Sequence, residues 1–405
     1  EKKKNNKILI ELLQNRFTKF NDSIVKWKFK DKDINSNFLE EKLIRTYENK
    51  NYDNSELSGD YSDWINIFDT GLREIKLTNK LPVVFFSGGK DSTFIASRLT
   101  QNNIDAVYIS LITNNEEKKI IEDLAEKLEI KVFFANKKLE FLDLEDILKK
   151  IKEPVMDPSG LSVLLLLDIC LKHNLKFSNL VFIDGMGNDS YMGHMPGKRE
   201  MQKFYFQKLI NKTNIHKIIS PTLWNSMGKL GDILRPSQMY NFPGSTIKLQ
   251  NYNNLASFYE KYSSLNNIIL QRALQRGIHY DFGCAINKSI IYTDACETQT
   301  KVIFPFLYED LIDCFEKRKI LDYDYSKLLN KFSIRKYLNE NLNFKNISPK
   351  KKIFKPTFLK YEFNKLQVEI ASDFKIKIKR LNIMQKSDFY LWSKYIINNN
   401  INIFS

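Results

Sequence analysis

The sequence predicts an α/β protein, a doubly wound and mostly parallel sheet of about five strands followed by an α-helical region. Three observations predict it. Short apolar runs alternate with amphipathic stretches between residues 81 and 183, the pattern of strands covered by helices. The first run leads directly into a glycine turn and a helix, which opens a βαβ series with right-handed crossovers. With 405 residues, 43% apolar and 13% aromatic, the chain can bury a sizeable core, so disordered and fibrous classes are excluded.

The elements follow in order. Residues 8–17, ILIELLQNRF, read as a helix, and the polar stretch at residues 49–63 reads as a loop. Together they form an N-terminal accessory segment, residues 1–65. Residues 81–86 read as a strand, Ser87-Gly88-Gly89 as a tight turn, and residues 92–99 as a helix. A strand at 106–111 precedes a helix at 116–128, in which Ile120, Ile121, Leu124, Ala125 and Leu128 recur at helical spacing. Residues 131–135 read as the next strand, 162–173 as a buried helix, and 180–183 as an apolar strand ending in DGMGND. Beyond residue 200 helices dominate, such as 255–269 and 307–317. The main domain is expected over residues 66–360 and a basic C-terminal extension over 361–405.

Charge and cysteine usage narrow the class. There are 63 Lys and Arg against 48 Asp and Glu, a net charge of +15. Residues 331–380 alone hold 14 basic and 4 acidic residues, so acidic partners such as nucleotides, tRNA or sugar phosphates fit. Cys170, Cys284, Cys296 and Cys314 have no metal-site spacing, which predicts reduced thiols and no structural zinc. The start, EKKKNNK, has no apolar signal core, and the apolar stretch 161–171 is short and holds Asp168. A cytoplasmic protein with no membrane partner is therefore expected.

Chemistry concentrates in Ser87-Gly88-Gly89-Lys90-Asp91-Ser92, directly after a strand and before a helix. Two glycines let backbone approach a phosphate, and the helix start adds unpaired N–H groups and partial positive charge. The hydroxyls of Ser87 and Ser92 suit phosphate oxygens, and Asp91 in the first helical turn suits Mg²⁺ beside them. The spacing is neither a Walker A loop nor a dinucleotide G-x-G-x-x-G.

SGGKDS in this setting resembles the pyrophosphate loop of the N-type ATP pyrophosphatases, the PP-loop superfamily, whose members bind ATP and leave an adenylated substrate. Asp184-Gly185-Met186-Gly187-Asn188-Asp189-Ser190 is similar to the SGxGxDE segment of its asparagine synthetase and β-lactam synthetase branch. By that resemblance Gly185 and Gly187 line the nucleotide, and Asp189 is the second carboxylate on Mg²⁺ beside Asp91. Glu153-Pro-Val-Met-Asp-Pro158 resembles a substrate segment of the branch, Phe304-Pro-Phe-Leu307 its PFL block, and Lys331-x3-Arg335 its K-x-x-x-R element. In Lys350-Lys351-Lys352-Ile-Phe354, spacing to Phe354 favours Lys351 as the family's late lysine, which stabilises charge as pyrophosphate leaves. Spacing from Ile347 favours Lys352.

Departures from the branch are equally visible. Met186 stands where the branch has Glu or Tyr near the nucleophile, and a thioether cannot accept a proton at neutral pH. Ser190 replaces the second acid of the motif, and the E-x-R before PFL is absent. Asp184, Tyr191 and His194 are candidates for the base. The branch's glutaminase starts on a Cys nucleophile and no cysteine precedes Cys170, so these residues are not expected to release ammonia from glutamine. The resemblance thus implies an ATP- and Mg²⁺-dependent, AMP-forming amide ligase joining a small carboxylate to ammonia or an amine, with a separate glutaminase as one ammonia source. Two alternatives remain: a tRNA-modifying ligase of the lysidine type, favoured by the basic window and by Asp373–Arg380, and a non-catalytic ATP-binding protein.

Overall fold

A computed structural model describes residues 28–29, 32–33, 60–112, 114–136, 160–188, 191–192, 288, 291–292, 296, 301–318, 322–324 and 329–347. Five parallel strands form the sheet: β1 (Leu81–Phe85), β2 (Val107–Ile112), β3 (Val132–Asn136), β4 (Leu180–Ile183) and β5 (Lys301–Ile303). Their spatial order is β3-β2-β1-β4-β5. The chain winds outward from β1 in one direction and then resumes on its other side with β4. This is the doubly wound α/β arrangement, and its switch point lies between β1 and β4, where ligands of such sheets bind beyond the strand C-termini.

One face of the sheet carries most of the helices. Before β1, α1 (Ser62–Lys76) buries Trp64, Phe68, Leu72 and Ile75 at helical spacing. Just ahead of its start, Asp60 accepts from the Ser62 amide at 3.0 Å in a local turn. The next helix, α2 (Lys90–Gln101), follows the Ser87–Gly89 turn, and α3 (Asn115–Leu128) is capped by Asn114, which accepts from the Glu117 amide at 2.8 Å. Trp64, Phe68, Phe94, Phe306 and Phe315 stack edge-on or tilted in this core. The other face receives α4 (Gly160–Lys172), which buries Val163, Leu166, Leu167, Ile169 and Cys170.

After β5 the chain makes a 3-10 turn at Pro305–Leu307 and enters α5 (Glu309–Lys317). The helix expected from residue 307 begins at 309, because the Pro305 turn occupies the preceding residues. A two-residue hairpin, β6 (Tyr323–Asp324) with β7 (Leu329–Asn330), leads into α6 (Phe332–Leu342) and α7 (Phe344–Ile347). No helix among the described residues is long and apolar enough to cross a membrane. The expected helices at 8–17 and 255–269 and the basic extension 361–405 lie outside the described residues.

Candidate functional site

The Ser87–Ser92 loop closes on itself. Gly88 takes φ +64°, a conformation that glycine adopts without strain, and turns the chain from β1 into α2. The Ser87 and Ser92 hydroxyls lie 3.1 Å apart, Ser92 Oγ donates to the Gly89 carbonyl at 3.2 Å, and the Gly89 amide donates to Ser87 Oγ at 3.3 Å. Both hydroxyls therefore shape the loop itself. A Cβ built on Gly89 would meet only Ser87 Oγ, at 3.2 Å, so the loop's backbone is open to the approach of a ligand there.

The β4 loop reaches the same place from the neighbouring strand. A Cβ on Gly185 would lie 3.2 Å from Asp91 Cβ and 3.3 Å from Ile95 Cδ1, so a side chain here would push α2 back by a few tenths of an ångström. Asn188, buried, donates from Nδ2 to Asp91 Oδ1 at 2.9 Å. The two loops thus meet on the Asp91 carboxylate at the sheet's switch point.

Cations converge there from the far end of the chain. Lys331 Nζ donates to both Asp91 oxygens, at 3.0 and 2.9 Å. It caps α6 with φ +56°, in the left-handed region that lysine seldom occupies. Asp322 holds that turn: its carbonyl accepts from the Phe332 amide at 2.9 Å, and its carboxylate accepts from the Ser333 amide at 2.9 Å and from the Ser333 hydroxyl. Arg335 donates from Nε to the Asn330 carbonyl at 2.7 Å, while Lys90 Nζ lies 3.5 Å from Asn330 Oδ1. Burial pushes the Arg335 guanidinium below its usual value, and the nearby Asp91 charge works in the opposite direction. Helix α6 is fixed on α2 by Tyr337, whose hydroxyl lies 2.8 Å from Ser97 Oγ and accepts from Arg98 Nη1 at 3.2 Å. Arg98 is in turn paired with buried Asp69.

The candidate bases are otherwise engaged. Asp184 accepts Lys288 Nζ at 3.0 and 2.8 Å and the Met186 amide at 3.0 Å, and both acid and lysine side chains are 10% exposed. Tyr191 is buried, donates to the Phe306 carbonyl at 2.5 Å and packs on the Phe315 ring. His194, Asp189, Ser190, Lys351 and Lys352 lie outside the described residues. The structure brings together Gly88, Gly89, Lys90, Asp91, Ser87, Ser92 and Gly185, and it adds Asn188, Lys331, Arg335 and the Asp184–Lys288 pair. Of these additions Asp184 and Asn188 stood in the DGMGNDS motif and Lys331 and Arg335 in K-x-x-x-R, and neither motif indicated which groups they face. Lys288 has no local signal.

The donor set fits a phosphate chain with one small hard cation. Among the described residues no three His, Cys, Asp or Glu side chains converge as a metal cage. Mg²⁺ on phosphates needs only one or two carboxylates, and Asp91 offers one.

Residues 77–276 match the model of the asparagine synthase family. That family is the synthetase domain of the PP-loop superfamily. No curated protein matches the chain. Members of the asparagine synthase family use ATP, generally with Mg²⁺, and the domain is of the ATP-dependent amide-ligase type. The match ends before β5 and α6, so the last strand of the asparagine synthase sheet and the lysine on Asp91 both come from residues beyond it.

Proposed function

We propose that the protein is an AMP-forming amide ligase. A substrate carboxylate oxygen bonds to the α-phosphorus of ATP, pyrophosphate leaves with the electron pair of the α–β bridge, and ammonia or an amine then displaces AMP from the acyl-adenylate. The observation that carries this reading is the meeting of the glycine cradle and the β4 turn on Asp91, with the Lys331 ammonium bonded to it. Positive charge there suits a polyphosphate whose leaving half gains charge during the reaction.

In this reading the backbone of Gly88 and Gly89 cradles phosphate, and Asp91, with Asp189, holds Mg²⁺. When bound, the ion neutralises phosphate charge. Lys331 and Arg335 face the phosphates, and Lys351, with Lys352 as the competing register, offsets charge on departing pyrophosphate. Asp184 and Tyr191 are tied to Lys288 and to the Phe306 carbonyl, so neither is poised as a base, and the nitrogen nucleophile enters as the free base. Ammonia from a separate glutaminase meets that requirement, and so does an amine substrate.

The lysidine-type alternative weakens on one observation. One of the cations in the basic window, Lys331, bonds Asp91 on α2 rather than turning outward as a track for nucleic acid. Exchange of labelled pyrophosphate into ATP tests the proposal, because reversible adenylation requires the carboxylate but no amine. Exchange that appears only with a carboxylate supports it. ATP turnover to ADP with no exchange under any carboxylate contradicts it.

A further inference from the structure

The Asp91 carboxylate already has a cation on it, and that cation is fixed in place. Lys331 Nζ sits 3.0 and 2.9 Å from its two oxygens, and the lysine side chain is 4% exposed against 24% for the aspartate. Its left-handed backbone is held by Asp322 through Phe332 and Ser333, and its helix is locked on α2 through Tyr337, Ser97 and Arg98. A surface lysine swings away from a competitor at little cost. Lys331, rooted on a fixed backbone with its side chain 4% exposed, has little room to do so.

Mg²⁺ bonds oxygen at about 2.1 Å, so an ion on either Asp91 oxygen would stand within about 5 Å of Nζ. Asn188 Nδ2 also turns the positive end of its dipole to Oδ1, and Arg335 adds a further charge felt by Asp91. One carboxylate would then face both a dication and an ammonium. A phosphate chain lying between ion and ammonium changes the balance, because it carries negative charge enough for both.

We infer that Lys331 makes divalent-metal binding at Asp91 conditional on an anion: ammonium and metal compete for one carboxylate, and a bound polyphosphate converts that competition into cooperation. The coupling is reciprocal, so metal tightens nucleotide as nucleotide tightens metal. The inference rests on the reading of Asp91 as a metal ligand under the proposed function. It does not depend on which acid is adenylated.

The test is Mn²⁺ binding to the full chain, followed by loss of the free-ion electron paramagnetic resonance signal, without turnover. Wild type, Lys331→Met and Lys331→Arg are compared, with Asp91→Asn as the blank and circular dichroism as the check of folding. Lys331→Gln takes the place of Lys331→Met if the latter does not fold. Without nucleotide, the neutral variant should bind Mn²⁺ about 10-fold or more tighter than wild type, within the usual range of coupling between sites. Lys331→Arg should stay weak, because it keeps the charge. A non-cleavable α,β-methylene analogue of ATP should tighten Mn²⁺ on wild type by a larger factor than on the neutral variant. Equal affinities for wild type and neutral variant, or Mn²⁺ binding by neither, overturn the inference. ADP as the reaction product would end the ligase reading and leave these affinities unchanged, so the two failures are distinguishable.

Discussion

Replacing Gly187 by alanine perturbs the β4 turn at its tightest point. Gly187 has φ +115°, a region essentially restricted to glycine, and forcing another residue into it costs about 1–3 kcal/mol. The added Cβ would also lie 2.3 Å from Leu307 Cδ2 and 2.4 Å from Cγ, a side chain that is 2% exposed within the main core. Overpacking of that kind adds about 1–3 kcal/mol. The sum, about 2–6 kcal/mol, is a large part of an ordinary domain's stability of about 5–15 kcal/mol. Urea unfolding read by the fluorescence of buried Trp64 should show a lower midpoint with an unchanged slope. Leu307→Ala separates the two contributions. Alone it should cost about 2–5 kcal/mol through its cavity, but beside Gly187→Ala the new methyl has room. The double variant should therefore lose at least about 1 kcal/mol less than the two single losses together. A Gly187→Ala protein within about 0.5 kcal/mol of wild type would refute the reasoning, since that is the range of an unremarkable surface change.

Asp91→Asn keeps the shape of the site and removes the charge that Lys331 contacts. Pyrophosphate release at saturating ATP should fall about 10²-fold or more, and retained turnover would remove Asp91 from the mechanism. Lys351→Ala should depress kcat about 10²-fold with little change in ATP binding, whereas loss in Lys352→Ala alone would move the assignment by one residue. The Cys170 thiol is pushed up to about 12 by burial and, secondarily, by Cys296, so its thiolate is scarce near neutral pH. Iodoacetamide at mildly alkaline pH should spare Cys170 in the folded protein and label it in urea, as read by peptide mass spectrometry.

The sheet was legible because its strands are apolar runs bounded by turn residues and its helices show clear apolar spacing, as at Ile121, Leu124, Ala125 and Leu128. Helix α1 was harder to read. Trp64, Phe68, Leu72 and Ile75 are well spaced, but they emerge from a polar stretch that reads as a loop. Strand β5 has three residues, too few for a period-two pattern, and only its place beside β4 defines it. The glycine turn was legible because its backbone shape is encoded in six consecutive residues. The cation on Asp91 was not. Lys331 reaches Asp91 across 240 residues, and its position depends on Asp322 capping α6 and on Tyr337 docking that helix, contacts that no local pattern announces. The Asp184–Lys288 pair, 104 residues apart, is hidden for the same reason, and it explains why an acid beside the motif is not free to act as a base.

The central claim is that the chain cleaves ATP between the α- and β-phosphates to activate a carboxylate. Incubation with α-labelled ATP, Mg²⁺, ammonium and a panel of carboxylates measures it most directly, with nucleotides separated by chromatography and pyrophosphate counted in parallel. The account predicts label in AMP, one pyrophosphate for each AMP, a yield that depends on the carboxylate, and loss of both products in Asp91→Asn. Label recovered only in ADP, with orthophosphate as the other product, would contradict it.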